Sequence, residues 1–362
     1  MTKVLQIYPK MNNAGTEKVI MNLYRNINQE KVHFDFLVNQ KGLLDEEIKK
    51  GGAKIFYLEN KSKKQYYDSL INFFTENKYE IIHVHTQGSM DVILKAAKKS
   101  NVKCRIIHSH TARQDVPKLF KILKLYRNLQ IEKYATDFFA CSTEAAKWLF
   151  PHKYKKTKIV YNAINIQEFL FDENTRKRVR DKLNIKENEK AILNIGRFAY
   201  QKNHKRIIKI SKKLIENKKN IKVILVGTGN LKDDIKKEIE NDNLNNNFLL
   251  LGNRNDVNEL LMAADLFLFP TLYEGLGIAV VEAQFSGLKC ITSERVPAEA
   301  DIGAGLLKKI NLSSDDEIWI KEIENSLNAN YARNQINQTY NNKYNIKAIA
   351  KDIENFYLSR AN

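Results

Sequence analysis

Cysteine is scarce in this chain: three among 362 residues, at Cys104, Cys141 and Cys290, each in or beside an apolar run. So few and so isolated, they exclude a disulfide scaffold and a thiolate metal knuckle, and suit reduced core thiols in the cytoplasm. Long apolar runs are also lacking. Nothing approaches the roughly 20 residues of a membrane span, and the opening MTKVLQIYPK enters a strand-like run without the apolar stretch of a signal peptide. Acidic residues fall short of basic ones, 42 against 60, leaving a net charge of +18. Such an excess fits nucleic acid, an anionic membrane surface or an anionic substrate. The lysines are scattered over most helical patterns, with no basic groove interleaved with aromatics and no nucleic-acid motif, which points away from nucleic acid. No internal repeat is evident. What remains, 43% hydrophobic and 28% charged residues, is the composition of a globular protein long enough for two cores.

Short apolar runs alternate with amphipathic patterns, which predicts parallel sheets covered by helices. In the first half, strands are expected at 4–7, 34–38, 54–57, 81–84, 104–109 and 137–141, with helices such as 17–27 and 68–77 between them. Ser142 is placed to N-cap the next helix. A second series begins near Ala191, with strands at 191–195, 223–226, 248–251, 266–269 and 290–292 and helices at 204–217, 231–240, 256–263 and 278–286. Two such series predict two doubly wound domains, 1–165 and 166–340. The charged stretch 172–189 leads into the second, and 346–357 carries a helical apolar period.

The most informative stretch is PTLYEGLGIAVVEAQ, from Pro270 to Gln284. It follows a buried strand and carries Glu274 and Glu282 with seven residues between them. If Gly275 to Gly277 open the helix, the two carboxylates lie roughly 12 Å apart along its axis. A nucleotide diphosphate sugar presents hydroxyls at both ends and phosphates between, and N–H groups at a helix start can hold phosphates.

This element resembles the E-x7-E motif of the retaining glycosyltransferases of the GT-B fold, family 4, and further segments resemble the family's motifs in the expected order. The resemblance covers nearly the whole chain and is densest from Ala191 to Thr292. It implies two Rossmann-like domains facing a central cleft, the first for the acceptor and the second for the donor, with the helix 341–362 returning to the first. Asn12 to Glu17 follows the first strand and opens a helix. There the resemblance gives Gly15 and Thr16 to the donor, although Ala14 stands where the family usually has a second glycine. The strand 105–111 ends in His108-Ser109-His110, on alternate positions of one side, and His110 best matches the family's active-site histidine. His83 and His85 end the preceding strand in the same way. Four histidines bring zinc to mind, but no carboxylate or cysteine joins them at ligand-like spacing, so no metal site is expected.

In the second series, Gly196-Arg197-Phe198 and Lys202 match the family's cation pair, which neutralises the diphosphate as the glycosidic bond breaks. Asn203 stands where the family commonly has glycine. Gly227, in Val226-Gly227-Thr228-Gly229, and Arg254, after Leu251-Gly252-Asn253, are implied to lie against the nucleotide. At the opening motif the family gives Glu274 the sugar and Glu282 the ribose, with Gly275, Leu276 and Gly277 supplying backbone at the phosphates. Catalytic work thus falls to His110, Arg197, Lys202 and Glu274, with no cofactor and no divalent metal.

Lys118 to Tyr134 is basic and strongly apolar. It suits either an anionic bilayer surface or, the preferred reading, a helix whose apolar face lies on the sheet. The expected activity is transfer of a sugar from a nucleotide diphosphate donor, UDP-linked, to a hydroxyl of a saccharide or lipid-linked saccharide in bacterial surface polysaccharide biosynthesis. The location expected is the cytoplasm or the inner face of the cell membrane. The alternatives are a UDP-sugar 2-epimerase of the same fold and a non-catalytic polyanion- or polysaccharide-binding protein.

Overall fold

The computed structural model describes residues 1–12, 15–60, 62–85, 88–112, 118–217, 220–329, 331–335 and 342–361, with backbone alone at 118–121, 335 and 342. The chain divides into two units, Met1–Ile164 with Lys343–Asn362, and Asn165–Asn342. Through residue 164 the elements are β1 (Thr2–Ile7), α1 (Gly15–Asn26), β2 (Val32–Val38), α2 (Asp45–Lys50), β3 (Ile55–Tyr57), α3 (Lys63–Asn77) and β4 (Ile81–Val84). They continue with α4 (Met90–Lys99), β5 (Cys104–Ser109), α5 (Lys118–Tyr134), β6 (Asp137–Ala140), α6 (Thr143–Leu149) and β7 (Lys158–Ile159). All seven strands are parallel, in the order β3-β2-β1-β4-β5-β6-β7.

Consecutive side chains of a strand leave opposite faces of a sheet, and this alternation divides the core of the first unit. Val4, Phe36, Ile81 and Ile106 join one buried cluster with Ile20 and Leu23 of α1. Their neighbours Leu5, Leu37, Ile82 and Ile107 join another with Leu70 of α3 and Leu94 of α4. Buried apolar residues on both faces of these strands leave no solvated face, the pattern of a sheet covered on both sides. Ser142 caps α6, its side chain accepting from the Ala145 N–H.

The second unit contains α7 (Glu173–Lys182), β8 (Lys190–Ile195), α8 (His204–Glu216), β9 (Ile221–Val226), α9 (Lys232–Asn241) and β10 (Phe248–Gly252). These are followed by α10 (Val257–Ala263), β11 (Leu266–Phe269), α11 (Ile278–Phe285), β12 (Cys290–Ser293), β13 (Leu307–Ile310) and α12 (Asp316–Asn328). Its parallel sheet runs β10-β9-β8-β11-β12-β13, the 3-2-1-4-5-6 order of a Rossmann sheet, whose order reverses between β8 and β11. The last helix, α13 (Ile346–Ala361), belongs to the first unit. Its Tyr357 ring meets Phe34 edge-on at 5.8 Å and Phe356 meets Phe139 at 4.9 Å. Ile164 and Tyr344 exchange a backbone bond where it joins.

Three departures from the sequence reading bear on the site and the surface. The stretch 172–189 contains a full helix, α7, hidden because arginines rather than an apolar stripe anchor it. Arg176 and Arg180 donate to the carbonyls of Ala263 and Ala264 and to the carboxylate of Asp265. Second, α11 begins at Ile278, with Gly277 as its N-cap at φ +82°, so Glu274 lies in the preceding turn. The two glutamates do not share a helix axis, and a 1.5 Å rise does not set their separation.

Third, the apolar side of α5 faces outward. Ile122, Leu125, Tyr126 and Leu129 are exposed, Ile122 at 72% and Tyr126 at 65%, and their i, i+3, i+4, i+7 spacing makes one stripe. The covered side carries Lys124, whose Nζ lies 2.9 Å from the Trp148 ring centroid, and buried Asn128, which donates to Trp148 O. The expectation that α5 lays its apolar face on the sheet is therefore wrong: among these residues Ile131 is the fully buried aliphatic one.

Candidate functional site

Ligands of open α/β sheets bind beyond the carboxyl ends of the strands where the order reverses. In the second unit that point is flanked by residues 196–203 after β8 and 270–277 after β11. These two segments are bound to each other. Leu272 N–H donates to Gln201 O, Gln201 Nε2 to Tyr273 O (2.8 Å) and Asn203 Nδ2 to Pro270 O (3.0 Å). Asn203 has φ +54°, the left-handed region that glycine occupies freely and asparagine tolerates best among other residues. That accounts for asparagine at a position where the resembled family has glycine.

Within this frame Lys202 Nζ lies 2.6 Å from Glu274 Oε1, the two side chains 15% and 8% exposed. The same oxygen accepts from Thr271 Oγ1 at 2.8 Å, while Glu274 Oε2 has no partner among the described residues. The Lys202 ammonium also stands 4.4 Å from the Phe269 ring centroid. A Cβ at Gly196 would fall 3.0–3.1 Å from three carbons of the lysine chain, so Gly196 makes room for Lys202. A charge pair this covered is costly to split, because either partner alone would be a poorly solvated ion. Arg197 differs: its side chain is exposed and has no ion pair or hydrogen bond among the described residues. Beside Lys202, His204 is buried with its ring 4.6 Å from Phe198, and burial, reinforced by the Lys202 charge, pushes it down to about 4. It remains neutral at physiological pH.

The other predicted donor residues fall into two groups. Leu276, Gly275, Gly277 and Glu282 are buried at the start and first turns of α11. Gly227 is needed for a reason internal to the fold. At φ +137°, a Cβ there would stand 2.1 Å from Gly196 O, so the strand-end turns of β8 and β9 interlock. Arg254 is engaged by its own loop, with Nε 2.7 Å from Asp256 Oδ1 in a two-pronged pair.

In the first unit, Gly15 opens α1 and a Cβ on it would meet nothing within 4 Å. Its neighbours Asn13 and Ala14 lie outside the described residues. The expected pairing of His108 and His110 on one side is present, their ring centroids 4.0 Å apart. The sequence reading did not foresee that His83 and His85 join the same stack, 4.1 Å apart, with His85 and His110 at 5.1 Å. These histidines occupy the strand face that carries Val4 and Ile106. Their even spacing was the available signal, and it needed the β1-β4-β5 order to become a cluster. Burial pushes His83, His85 and His108 well down and His110 to about 3. His83, His85 and His108 bring nitrogens within 4.8 Å of one another. The His83 and His108 rings are nearly parallel, 10° apart, and both His85 nitrogens are engaged. His83 Nδ1 is engaged as well, 2.6 Å from Tyr357 Oη.

Residues 175–338 match the family model described as glycosyl transferases group 1. The Bacillus subtilis (strain 168) protein named "Putative glycosyltransferase EpsF" is 31% identical over 333 residues, 89% of this chain and 86% of that one. The UDP-Gal:alpha-D-GlcNAc-diphosphoundecaprenol alpha-1,3-galactosyltransferase of Escherichia coli is 26% identical over 308 residues, 80% and 78% of the two chains. Among solved structures, HepE of Anabaena in complex with UDP and glucose superposes with a TM-score of 0.81 at 17% identity, covering 99% of this chain and 100% of that one. The chain belongs to the group 1 glycosyltransferases, and its fold, two parallel-sheet Rossmann-like units, is that of the GT-B enzymes.

Proposed function

We propose that this glycosyltransferase is a retaining enzyme of family 4 type. In this reading it moves a hexosyl group from a UDP-linked donor to a hydroxyl of a saccharide or lipid-linked saccharide during assembly of a bacterial surface polysaccharide. The observation that carries the reading is the conjunction at the β8/β11 reversal of an exposed Arg197, unpaired among the described residues, the Lys202–Glu274 pair and the start of α11. Two cations and the N–H groups of a helix start suit a diphosphate. They would do there what a divalent ion does elsewhere, so no metal is required. Glu274 Oε2 is left to accept from a sugar hydroxyl, Glu282 serves the ribose, and Gly15, Thr16, Gly227 and Arg254 line the donor.

Chemically, the glycosidic C–O bond breaks with its electron pair going to the β-phosphate, where Arg197 and Lys202 stabilise the developing charge. The acceptor hydroxyl attacks the same face, and its proton passes to the departing phosphate. Atoms and charge balance without an enzymatic nucleophile. His110 contributes by hydrogen-bonding a hydroxyl of the sugar. The UDP donor is supported by the name of the E. coli relative and by the UDP in the HepE structure, and the lipid-linked acceptor by the diphosphoundecaprenol in the relative's name.

A lipid-linked acceptor implies work at a membrane. No helix among the described residues is long and apolar enough to cross one. The outward stripe of α5, on a helix with five basic residues and one acidic, supports adsorption to the anionic inner face of the cell membrane. The test is a donor screen read by nucleotide release with candidate acceptors. UDP released only when acceptor is present, with an α-linked product from an α-linked donor, supports the proposal. Epimerised donor formed without acceptor would replace it with a 2-epimerase.

A further inference from the structure

The histidine stack of the first unit is wired to α13 through a directional set of hydrogen bonds. Gln6 on β1 offers its amide Nε2 to Tyr357 Oη at 3.4 Å, and its Oε1 lies 2.8 Å from His85 Nε2. With the Gln6 amide in this orientation its oxygen faces His85 and accepts, which puts the proton on His85 Nε2. Buried His85 is neutral, so its other nitrogen, Nδ1, is bare and accepts. That nitrogen lies 2.9 Å from His110 Nε2, which must therefore donate. His110 is then the Nε2–H tautomer, and its Nδ1, a buried atom, keeps a lone pair with no hydrogen-bond partner among the described residues. The groups facing His85 are Gln6 from β1, the stacked rings of His83 on its own strand, and His108 and His110 from β5. None of them is a carboxylate, and the proton order follows the orientation of the Gln6 amide, whose Nε2 faces Tyr357 Oη, itself 2.6 Å from His83 Nδ1.

We propose that His85 is a positioning residue that holds His110 in the Nε2–H tautomer, so that Nδ1, covered in this structure, meets a ligand hydroxyl as an acceptor once the ligand displaces what covers it. This rests on the reading that His110 serves a hydroxyl of the bound sugar. It adds which proton state does so, and that the C-terminal helix, through Tyr357 and Gln6, sets it. The tautomer matters because the opposite form would offer Nδ1–H and would require the ligand oxygen to accept.

The test uses the full chain labelled with 15N in histidine, without ligand, near neutral pH. Long-range 1H–15N spectra, assigned with a His110→Gln control, report which nitrogen of each ring is protonated. The expected result is His110 with proton-bearing Nε2 and bare Nδ1, and His85 likewise. A His110 ring protonated on Nδ1 overturns the proposal, whatever the enzyme's activity. Replacement supplies the second arm. His85→Asn places an acceptor oxygen near the lost Nδ1 and should keep the His110 tautomer and most of the transfer rate. His85→Leu should leave His110 a mixture of tautomers and lower kcat roughly tenfold or more, the scale seen when a partner orienting an imidazole is removed. Equal losses in the Asn and Leu variants, with the tautomer unmoved, would reduce His85 to a packing residue and sink the proposal. Should His85→Leu fail to fold, Gln6→Met removes the acceptor for His85 Nε2 and is read in the same spectra. If His110→Gln transfers at the full rate while the Nε2–H tautomer stands, the sugar-hydroxyl reading fails and the proton order survives.

Discussion

Lys202 and Glu274, 72 residues apart in sequence, are joined by a 2.6 Å ion pair that bridges the loops after β8 and β11. The sequence reading assigned them separate tasks, the lysine to phosphate and the glutamate to sugar. In the unliganded chain each is the other's principal partner, so substitution of either acts on both function and fold. Glu274→Ala should leave a covered lysine without its counter-ion and cost about 3 kcal/mol of stability. Glu274→Gln keeps an oxygen for Thr271 and Lys202 and should unfold in urea within about 1 kcal/mol of the parent, while transfer falls by about 100-fold. Full transfer by the Gln variant would remove Glu274 from the chemistry.

Arg197 gives the complementary experiment. Because its side chain has no partner among the described residues, Arg197→Met should change stability by no more than about 0.5 kcal/mol. Loss of transfer should still be severe, and Arg197→Lys should recover little of it, since a point charge does not reproduce a planar fork. Urea unfolding and initial rates on the same preparations check both halves.

Two glycines that read alike in sequence should behave oppositely. Gly227→Ala forces a Cβ against Gly196 O at positive φ and should destabilise by roughly 2 kcal/mol or more. Gly15→Ala enters open space at the first position of a helix and should be neutral or slightly stabilising. If Gly15 admits the donor closely, the alanine raises KM for the donor with the fold intact. Thermal unfolding with donor kinetics distinguishes the two.

The buried histidines predict a pH dependence. His83, His85, His108, His110 and His204 are all lowered in the folded chain, chiefly by burial. The unfolded chain, with histidines near their ordinary value of about 6.5, binds more protons below that pH. Stability is therefore fully present above about pH 6.5 and is lost as pH falls from there toward 4. The limit is about 1.4 kcal/mol per pH unit for each histidine. Urea midpoints at pH 7.5, 6.5 and 5.5 test this above the range where most carboxylates titrate. A midpoint unchanged to pH 5.5 would contradict it.

Most of the fold was legible because both sheets are buried on two faces, so their strands read as short apolar runs between amphipathic helices. Two elements that escaped the sequence lacked that signature. β13, LKKI, is an edge strand with two lysines, and α7 is held by Arg176 and Arg180 rather than by a stripe. The α5 stripe was visible, but its direction was not, since periodicity shows that a face exists and not where it points. Within the candidate site, the place of the loops at the strand ends was legible through their order along the chain. The Lys202–Glu274 pairing and the four-histidine stack were not, because both arise from strand order, which brings distant segments side by side.

The central claim is that the β8/β11 reversal of the second unit holds a nucleoside diphosphate between Arg197, Lys202 and the start of α11. Calorimetric titration of UDP into the parent chain and into Arg197→Met tests it most directly. Micromolar binding by the parent, weakened at least tenfold in the variant with folding unchanged, is the predicted result. Equal affinity in the two proteins, or no binding by a folded parent chain, would contradict it.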